Sequence, residues 1–292
     1  MLFKVKSYKK KIMKKILMGL MGFMGLMGIW SCDKIAEEDY TVYDGASVMW
    51  MTAGNDVPAV QRVLVEKFTG PRCTNCPTAD ATLAAIHDER VVLVSINHPT
   101  GQGVPFPEQP DMRTDGGTVW DNWYGINAIP AAYINRDKGS QYLGDMGTIG
   151  GAINQALNDN PSIAMSVTAT QTDNGIDVVS TLKYVKENRD ELTLTVALVE
   201  DSLVYRQLMP DGTIDDNYLH NHMLRKVITS YWGASVEASG YPNECVAGVL
   251  NFTPSSDVNL ENCHIVAFVS DRATRRVLNC ASCKITLPTD ED

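Results

Sequence analysis

The stretch FTGPRCTNCPTADATL, residues 68–83, places two cysteines, Cys73 and Cys76, three positions apart. It follows VLVEK, residues 63–67, a short apolar run that predicts a β-strand. Pro77 suits the first turn of a helix, where its missing N–H costs nothing. The two cysteines are therefore predicted to lie where a strand is followed by a helix. On these residues alone they form a redox couple, half of a metal site or a structural disulfide.

The N-terminus predicts export. Residues 1–15, MLFKVKSYKKKIMKK, carry seven lysines and no acidic residue, and an apolar segment of residues 16–30 follows. That segment is shorter than the roughly 20 residues of a membrane-spanning helix, so residues 1–31 are predicted to be a signal peptide. Its end, Ile29-Trp30-Ser31-Cys32, resembles the bacterial lipobox, which implies that Cys32 is diacylated and begins the mature chain. An ordinary signal peptide or an uncleaved anchor is the alternative.

Net charge and cysteine content limit the classes of function that the mature chain can have. With seven of the 25 Lys and Arg residues in the leader, 18 remain against 35 Asp and Glu residues, so the mature chain carries a net charge near −17. Nucleic-acid binding requires clustered basic residues, which this composition disfavours. Six cysteines follow Cys32, and an even number in an oxidising compartment favours disulfides.

The sequence pattern divides the mature chain into four segments. Residues 32–58 are predicted to be a polar tether that ends in a short strand. Strands and helices alternate in residues 59–160, which predicts an α/β domain with some parallel strands. From Pro161 to residue 287 the runs are short, alternating and separated by turn signals, which predicts an all-β sandwich-like domain. Residues 288–292 form an acidic tail.

The position of CTNC favours thiol–disulfide exchange. A cysteine at the first turn of a helix faces unpaired N–H groups and the positive end of the helix dipole, so the pKa of Cys73 is expected to be low and its side chain exposed. Cys73 is then the nucleophile and Cys76 the resolving thiol. A zinc site would need Cys280 and Cys283, about 200 residues away, which is far outside zinc-ribbon spacing. A structural disulfide stays open as the alternative.

A second feature precedes the strand predicted for residues 131–135. Ile129-Pro130 resembles the cis-proline step of thioredoxins. The order of a strand, the CTNC helix, a second strand and then this Ile-Pro step resembles a thioredoxin fold. The resemblance implies that Pro130 and Ile129 shape a groove for the substrate chain beside the reactive disulfide.

Three features depart from the thioredoxin pattern. Arg72 stands where tryptophan usually precedes the first cysteine, and a cation there is expected to lower the pKa of Cys73 further unless it turns away. Glu66 is the candidate for the buried acid that assists the second cysteine, but the loop between them is one residue longer than in thioredoxin. A partly exposed strand glutamate is the alternative. Residues 98–117 are an insertion rich in proline and glycine that forms either a rim over the cysteines or a passive loop.

The leader, VLVEKFTGPRCTNCP, the Ile-Pro step and HNHMLRKV together resemble the lipoproteins related to outer membrane protein 28. This resemblance implies an α/β thioredoxin-like domain followed by an all-β sandwich-like domain, in a protein anchored by lipid at the outer membrane. It does not define a biochemical activity.

The remaining candidates lie in the C-terminal half. His220 and His222 on one face of a strand suggest a metal site, against a packed loop motif, and we predict no metal and no cofactor. A hairpin register that sets Ser270 opposite Arg276 places Cys263 opposite Cys283. This register predicts two structural disulfides, Cys263–Cys283 and Cys245–Cys280, with a local Cys280–Cys283 bond as the competitor.

Two hypotheses follow. The first is an outer-membrane lipoprotein that exchanges disulfides with envelope or surface proteins through Cys73 and Cys76. The second is a non-enzymatic surface lipoprotein that binds a protein or glycan, with Cys73–Cys76 as a structural disulfide.

Overall fold

The computed structural model of the protein describes residues 45–54 and 57–288. The predicted signal peptide, the lipidation site Cys32, most of the tether and the last four residues lie outside the described residues. The described residues belong to one compact unit.

The N-terminal elements follow the predicted order of strands and helices. Strand β2 is buried along its whole length, because both faces of the sheet are covered here. Three helices alternate with these strands, in agreement with the alternation predicted for residues 59–160. The elements are β1 (Met49–Thr52), β2 (Val63–Thr69), α1 (Cys76–Ala84), β3 (Val91–Asn97), α2 (Asp115–Tyr124), β4 (Ala131–Ile134), β5 (Gln141–Leu143) and α3 (Ile149–Leu157).

The C-terminal elements are strands. Seven of them were expected from alternating apolar residues, whereas β9, β10 and the two-residue β12 were not. They are β6 (Ile163–Thr172), β7 (Gly175–Tyr184), β8 (Leu192–Glu200), β9 (Leu203–Leu208), β10 (Ile214–His220), β11 (Met223–Val227), β12 (Ala234–Ser235), β13 (Cys245–Phe252), β14 (Cys263–Asp271) and β15 (Val277–Thr286).

The predicted fold class, an α/β thioredoxin-like domain followed by an all-β sandwich-like domain, is wrong. Thirteen strands from both halves of the chain form one mixed sheet in the order β1-β13-β7-β6-β15-β14-β8-β11-β3-β2-β4-β5, with β12 beside β8. The join is made where β11 pairs in parallel with β3, Met223 opposite Ser95. Some parallel strands were expected in residues 59–160, and β2 pairs in parallel with β3. The local pattern did not indicate that β11 takes the other edge of β3.

Three hydrophobic clusters hold the sheet. One joins side chains of β6, β7 and β13 with side chains of β8, β14 and β15, so the C-terminal part of the sheet folds over on itself. A second lies under α2 and includes Leu64, Phe68 and Trp120. A third lies on the other face of β2, where Val63 and Val65 pack against α1 and α3. Alternate residues of β2 therefore point to two different cores.

The predicted domain limits, residues 59–160 and 161–287, stay a prediction about independent folding units. Strands from both sides of residue 160 belong to the same sheet. Within the described ranges, no helix is both long and apolar enough to cross a membrane.

The predicted register of the terminal hairpin is wrong. Strand β14 sets Ile265 opposite Cys283, and a shift between Val269 and Ser270 places Ser270 opposite Val277 rather than Arg276. The two predicted disulfides, Cys263–Cys283 and Cys245–Cys280, are not formed, since all four of these cysteines are free thiols. Cys280 lies in the cluster under α2 and Cys245 in a separate small cluster with Val57 and Ala164, so these two point into different cores.

Burial makes these four thiols poor nucleophiles. It raises the pKa of Cys263 to about 12 and that of Cys283 to about 11, and it also raises the pKa values of Cys245 and Cys280. Because the thiolate is the reactive form, none of the four is matched to exchange chemistry at neutral pH.

Candidate functional site

Cys73 and Cys76 form a disulfide at the start of α1, with their Cα atoms 5.4 Å apart. Strand β2 ends at Thr69, and the chain turns at Pro71 and Arg72. Cys76 is the first residue of the helix, with Pro77 directly after it. The predicted handover from strand to helix at CTNC is confirmed. The bond therefore lies at the positive end of the helix dipole, which favours a thiolate when the bond is reduced.

Both cysteines are closed to solvent, so the expectation of an exposed Cys73 is wrong. Cys73 is 1% exposed and Cys76 0% exposed. The loop that carries Cys73 is hydrogen-bonded to the β9–β10 hairpin, a separate two-stranded sheet. Gln207 Nε2 donates to the carbonyl oxygen of Cys73 at 2.9 Å, and the backbone N–H of Leu208 donates to the carbonyl oxygen of Pro71 at 2.8 Å.

A buried polar cluster lies on the α1 face of β2. Lys67 forms an ion pair with Asp80, four residues after Cys76 on the helix, and the hydroxyl of Tyr218 donates to Asp80 Oδ2 at 3.0 Å. Residues four apart lie on the same face of a helix, so this cluster is next to Cys76. Burial lowers the pKa of Lys67 to about 7. Burial first, and then the charge of Lys67, lowers the pKa of His220 to about 4, so this imidazole is neutral at pH 7.

Glu66 lies on the opposite face of β2, away from α1, because successive strand residues alternate between faces. Its carboxylate accepts from Arg136 Nη2 at 2.8 Å and from the hydroxyl of Tyr124 at 2.6 Å. Burial first, and then the charge of Glu66, raises the pKa of Tyr124 well above its usual value. Glu66 is therefore a member of a buried ion pair in the core under α2, and the expected assistance to Cys76 has no support in this geometry.

Arg72 turns away from the disulfide toward the insertion at residues 98–117. Its Nη2 donates to the carbonyl oxygen of Pro105 at 2.7 Å, its backbone N–H donates to that of Gln102 at 3.0 Å, and its guanidinium lies 5.2 Å from the ring centre of Phe106. The expected lowering of the Cys73 pKa by this cation therefore has no support in this geometry. The insertion instead packs beside the loop that carries Cys73.

The close packing within the insertion depends on a glycine. A Cβ atom at Gly103 would lie 1.8 Å from the carbonyl oxygen of His98, so any other residue would push the insertion out of place.

The Ile129–Pro130 peptide bond is cis, as the resemblance implied. Strand β4 begins directly after it and runs antiparallel to β2, with Ala131 opposite Phe68. The start of β4 therefore lies beside the end of β2. Pro130 and Ile129 share this edge of the sheet with the loop that leads to Cys73.

The sequence did not single out His98 and Asp121, which lie at the same edge. The backbone N–H of His98 donates to the carbonyl oxygen of Thr69, and its Nδ1 lies 2.7 Å from Asp121 Oδ2. Burial raises the pKa of Asp121, while the hydrogen bond with His98 acts in the opposite direction. Gln207, Lys67 and Asp80 were missed as well, because their proximity to CTNC depends on the docking of α1 and of the β9–β10 hairpin.

The structure separates the two histidines considered for a metal. His220 ends β10 and is buried beside Tyr218, whereas His222 has a φ of 59° and contacts Asp201. The alternation expected of a continuous strand is broken at this turn. In the described part of the chain, no group of three or more His, Cys, Asp or Glu side chains is arranged to hold a metal ion.

Asp201 directly follows β8 and contacts His222, just before β11, and His264 in β14. Its Oδ2 lies 2.8 Å from His264 Nε2, its Oδ1 lies 3.2 Å from His222 Nδ1, and the backbone N–H of His222 donates to Oδ1 at 2.7 Å. Burial alone would raise the pKa of Asp201, but the hydrogen bonds from His222 and His264 outweigh it and hold the pKa well below the usual range.

Replacing Asp201 by Asn is expected to weaken the loss of stability at acid pH. Because the folded-state pKa is depressed, the wild-type carboxylate contributes stability above the unfolded pKa of about 4 and loses it as the pH falls below that value. Urea unfolding between pH 7 and pH 3 should therefore show a smaller decrease in the Asp201→Asn variant than in the wild type. Asp216→Asn, at an exposed ion pair with Arg206, is the control and should keep the wild-type dependence. Equal dependence in both variants would contradict this prediction.

The family model of outer membrane protein Omp28 matches residues 118–287, more than half of the chain. The chain belongs to the Omp28 family. The protein is accordingly an outer-membrane-associated lipoprotein, and the predicted location at the outer membrane is confirmed. The matched residues include Pro130 and begin after the CTNC segment. The proposed diacylation of Cys32 stays a prediction.

Two solved structures are similar to the Omp28-family chain. HBP35 of Porphyromonas gingivalis has a TM-score of 0.59 and 18% sequence identity, over 81% of this chain and 80% of that chain, and this likeness shows the fold alone. A domain of the outer membrane lipoprotein Omp28 from Porphyromonas gingivalis has a TM-score of 0.32 and 24% identity, over 44% of this chain and 92% of that chain. None of the curated proteins compared with the chain matches it.

Proposed function

We propose that this outer-membrane-associated lipoprotein exchanges disulfides with envelope or surface proteins through Cys73 and Cys76. The observation that carries the proposal is a disulfide between cysteines three residues apart at the N-terminus of α1. A reduced sulfur at that place is stabilised as a thiolate, whereas burial raises the pKa values of the other four described thiols.

The reaction needs only the protein and a partner. In the reduced protein the Cys73 thiolate attacks a disulfide of the partner, forms a mixed disulfide and releases one partner sulfur as a thiolate. Cys76 then loses its proton to water, and its thiolate attacks Cys73 Sγ. The Cys73–Cys76 bond forms, the second partner sulfur leaves, and both released sulfurs take protons from water. The partner disulfide is reduced and the protein dithiol is oxidised.

The edge beside CTNC supplies the surroundings for this reaction. Ile129 and Pro130 precede β4 at the edge shared with the Cys73 loop. In this proposal they shape a groove for the partner chain. Arg72 contributes by fixing the insertion beside that loop. These roles belong to the proposal.

A second function is supported by the burial of both sulfurs. In this alternative Cys73–Cys76 is a structural disulfide that holds the start of α1, and the protein is a non-enzymatic surface lipoprotein that binds a protein or glycan. A structural disulfide usually has a reduction potential below about −300 mV, whereas an exchanging one is more easily reduced. Equilibration with glutathione buffers should therefore distinguish the two.

The trapping of mixed disulfides tests the exchange function directly. In cells, Cys76→Ser cannot resolve the intermediate on Cys73 and is expected to accumulate mixed disulfides with envelope proteins, visible as adducts on non-reducing gels. Cys73→Ser lacks the nucleophile and should show none. The double variant controls for the free cysteines elsewhere in the chain. Equal adduct levels in all three variants, together with a potential below about −300 mV, would favour the structural disulfide.

A further inference from the structure

The β9–β10 hairpin differs from the rest of the strands because its two strands pair with each other in a sheet of their own. They are joined by a turn at Pro210-Asp211-Gly212, where Gly212 has a φ of 84° that favours glycine. The hairpin follows β8 in the chain, leads into β11 and is hydrogen-bonded to the loop that carries Cys73.

The hairpin is bound on both sides of CTNC. On the N-terminal side, the backbone N–H of Leu208 donates to the carbonyl oxygen of Pro71, and Gln207 Nε2 donates to that of Cys73. Gln207 is only 2% exposed, so its carboxamide is enclosed between the hairpin and the loop. On the C-terminal side, Tyr218 donates to Asp80 on α1. Hydrogen bonds therefore attach the hairpin both to the loop before the disulfide and to the helix after it.

Few apolar side chains help to hold the hairpin. Its buried residues are Leu203, Gln207 and His220, and two of these three are polar. Val204 and Leu219, which lie opposite each other, are about half exposed on the outer face. Segments with few buried apolar contacts open at lower free energy than core strands do. The hairpin can thus separate from the Cys73 loop without loss of the three large hydrophobic clusters.

The groups that the hairpin satisfies are those that an extended polypeptide would satisfy. The loop presents the carbonyl oxygens of Pro71 and Cys73, and the hairpin meets them with a backbone N–H and a carboxamide N–H. Every extended chain carries backbone N–H groups and can form such bonds by lying along the loop. A partner segment bound there would bring its own cysteine next to Cys73.

We propose that the β9–β10 hairpin occupies the binding site of the exchange partner, and that an extended, cysteine-containing polypeptide segment displaces it to reach Cys73. This inference rests on the proposed exchange function. While the hairpin is bound, it shields the disulfide from small thiols. When a polypeptide segment displaces the hairpin, Cys73 becomes accessible to that segment.

Loosening the hairpin is expected to speed reduction of the disulfide. In the oxidised full chain, Gln207→Ala removes the carboxamide bonds, and Tyr218→Phe removes the bond to Asp80 while keeping the ring. Each loss of about 1 kcal/mol should raise the rate of reduction by dithiothreitol about fivefold, and the double variant about 25-fold. Rates are measured by quenching with an alkylating agent and mass spectrometry. Arg206→Ala, on the outer face of the same strand, should keep the wild-type rate.

Two further measurements separate access from reactivity. The equilibrium constant with glutathione should change less than about twofold in Gln207→Ala, because opening changes access and not the bond itself. The reduced wild type should also react faster with a Ser/Thr peptide carrying one glutathione-capped cysteine than with glutathione disulfide, and Gln207→Ala should narrow this difference.

Unchanged reduction rates in Gln207→Ala and Tyr218→Phe would overturn the proposal, as would equal reactivity of the wild type toward the peptide and glutathione disulfide. Tyr218→Phe keeps the test valid if Gln207→Ala does not fold. These rates are independent of the trapping experiment in cells. Rapid exchange with the peptide but no trapped envelope protein would reject the proposed function while leaving the role of the hairpin intact.

Discussion

Replacement of Arg136 by Ala is expected to lower the free energy of unfolding by about 3–5 kcal/mol, because it leaves a buried carboxylate without its cation. The side chains of Arg136 and Glu66 are 2% and 1% exposed, and the guanidinium donates to both carboxylate oxygens. The guanidinium also lies 4.4 Å from the ring centre of Trp120 and 4.5 Å from that of Phe268. The variant therefore loses packing and cation–π contacts as well as the ion pair. Equilibrium unfolding in guanidinium chloride measures the change.

Two controls test whether the buried unpaired charge causes this loss of stability. Arg189→Ala removes a cation whose pair with Glu187 is exposed, and this variant should unfold at the wild-type midpoint. The double variant Glu66→Gln with Arg136→Met removes both charges while keeping side-chain volume, and it should be more stable than Arg136→Ala alone. A double variant as unstable as Arg136→Ala would contradict the prediction that the unpaired carboxylate causes most of the loss.

Glu66 shows that the sequence of a strand does not determine which of its two faces receives a helix. VLVEKF correctly predicted a strand, and the position of Glu66 before CTNC suggested a role beside Cys76. Alternation places Glu66 and Lys67 on opposite faces, but it does not say which face receives α1. That choice is made by the packing of Val63 and Val65 against the helix, which puts Lys67 beside Cys76 and Glu66 beside Arg136, 70 residues later in the chain.

The fold was predicted well locally and poorly at long range. Apolar periodicity located β2, β3, β4 and most later strands, because each buries a recognisable face. The pairing of β11 with β3 joins residues more than 120 positions apart, and no short pattern encodes it. The terminal hairpin shows the same limit at short range, since Ser270 pairs with Val277 rather than Arg276, and a further shift between Val269 and Ser270 sets Cys283 opposite Ile265.

The β9–β10 hairpin gave one signal that was recognised and one that was not. Pro210-Asp211-Gly212 is one of the turn signals on which the prediction of an all-β C-terminal half rested. The flanking runs LVYRQL and IDDNYLH were not assigned as strands, because they expose charged residues and bury few apolar ones. Weak patterning is what a hairpin bound by hydrogen bonds should show, since its attachment to Pro71, Cys73 and Asp80 needs no continuous hydrophobic face.

Asn279 provides a test of whether the two halves of the chain unfold together. This side chain lies in β15 and is 0% exposed, and all of its hydrogen bonds are to backbone groups. Its Nδ2 donates to the carbonyl oxygens of Val60 and Ile163 at 2.9 and 2.8 Å, and its Oδ1 accepts from the N–H groups of Arg62 and Cys280 at 3.0 and 2.9 Å. One carboxamide thus connects the segment before β2, the start of β6 and β15.

Asn279→Ala is expected to lower the free energy of unfolding by about 3 kcal/mol or more, because several buried backbone groups lose their partners at about 1–3 kcal/mol each. Asn251→Ala removes an exposed amide whose partner is Asp177, and it should stay within about 0.5 kcal/mol of the wild type. Strands from before and after residue 160 belong to one sheet, so Asn279→Ala should still unfold in a single transition. The midpoint should lie at a lower denaturant concentration, and the unfolding free energy should change with denaturant concentration at the wild-type slope. Circular dichroism and tryptophan fluorescence should report that transition at the same midpoint. If the two probes separate in Asn279→Ala but coincide in Asn251→Ala, residues 59–160 and 161–287 are independent folding units that this side chain holds together.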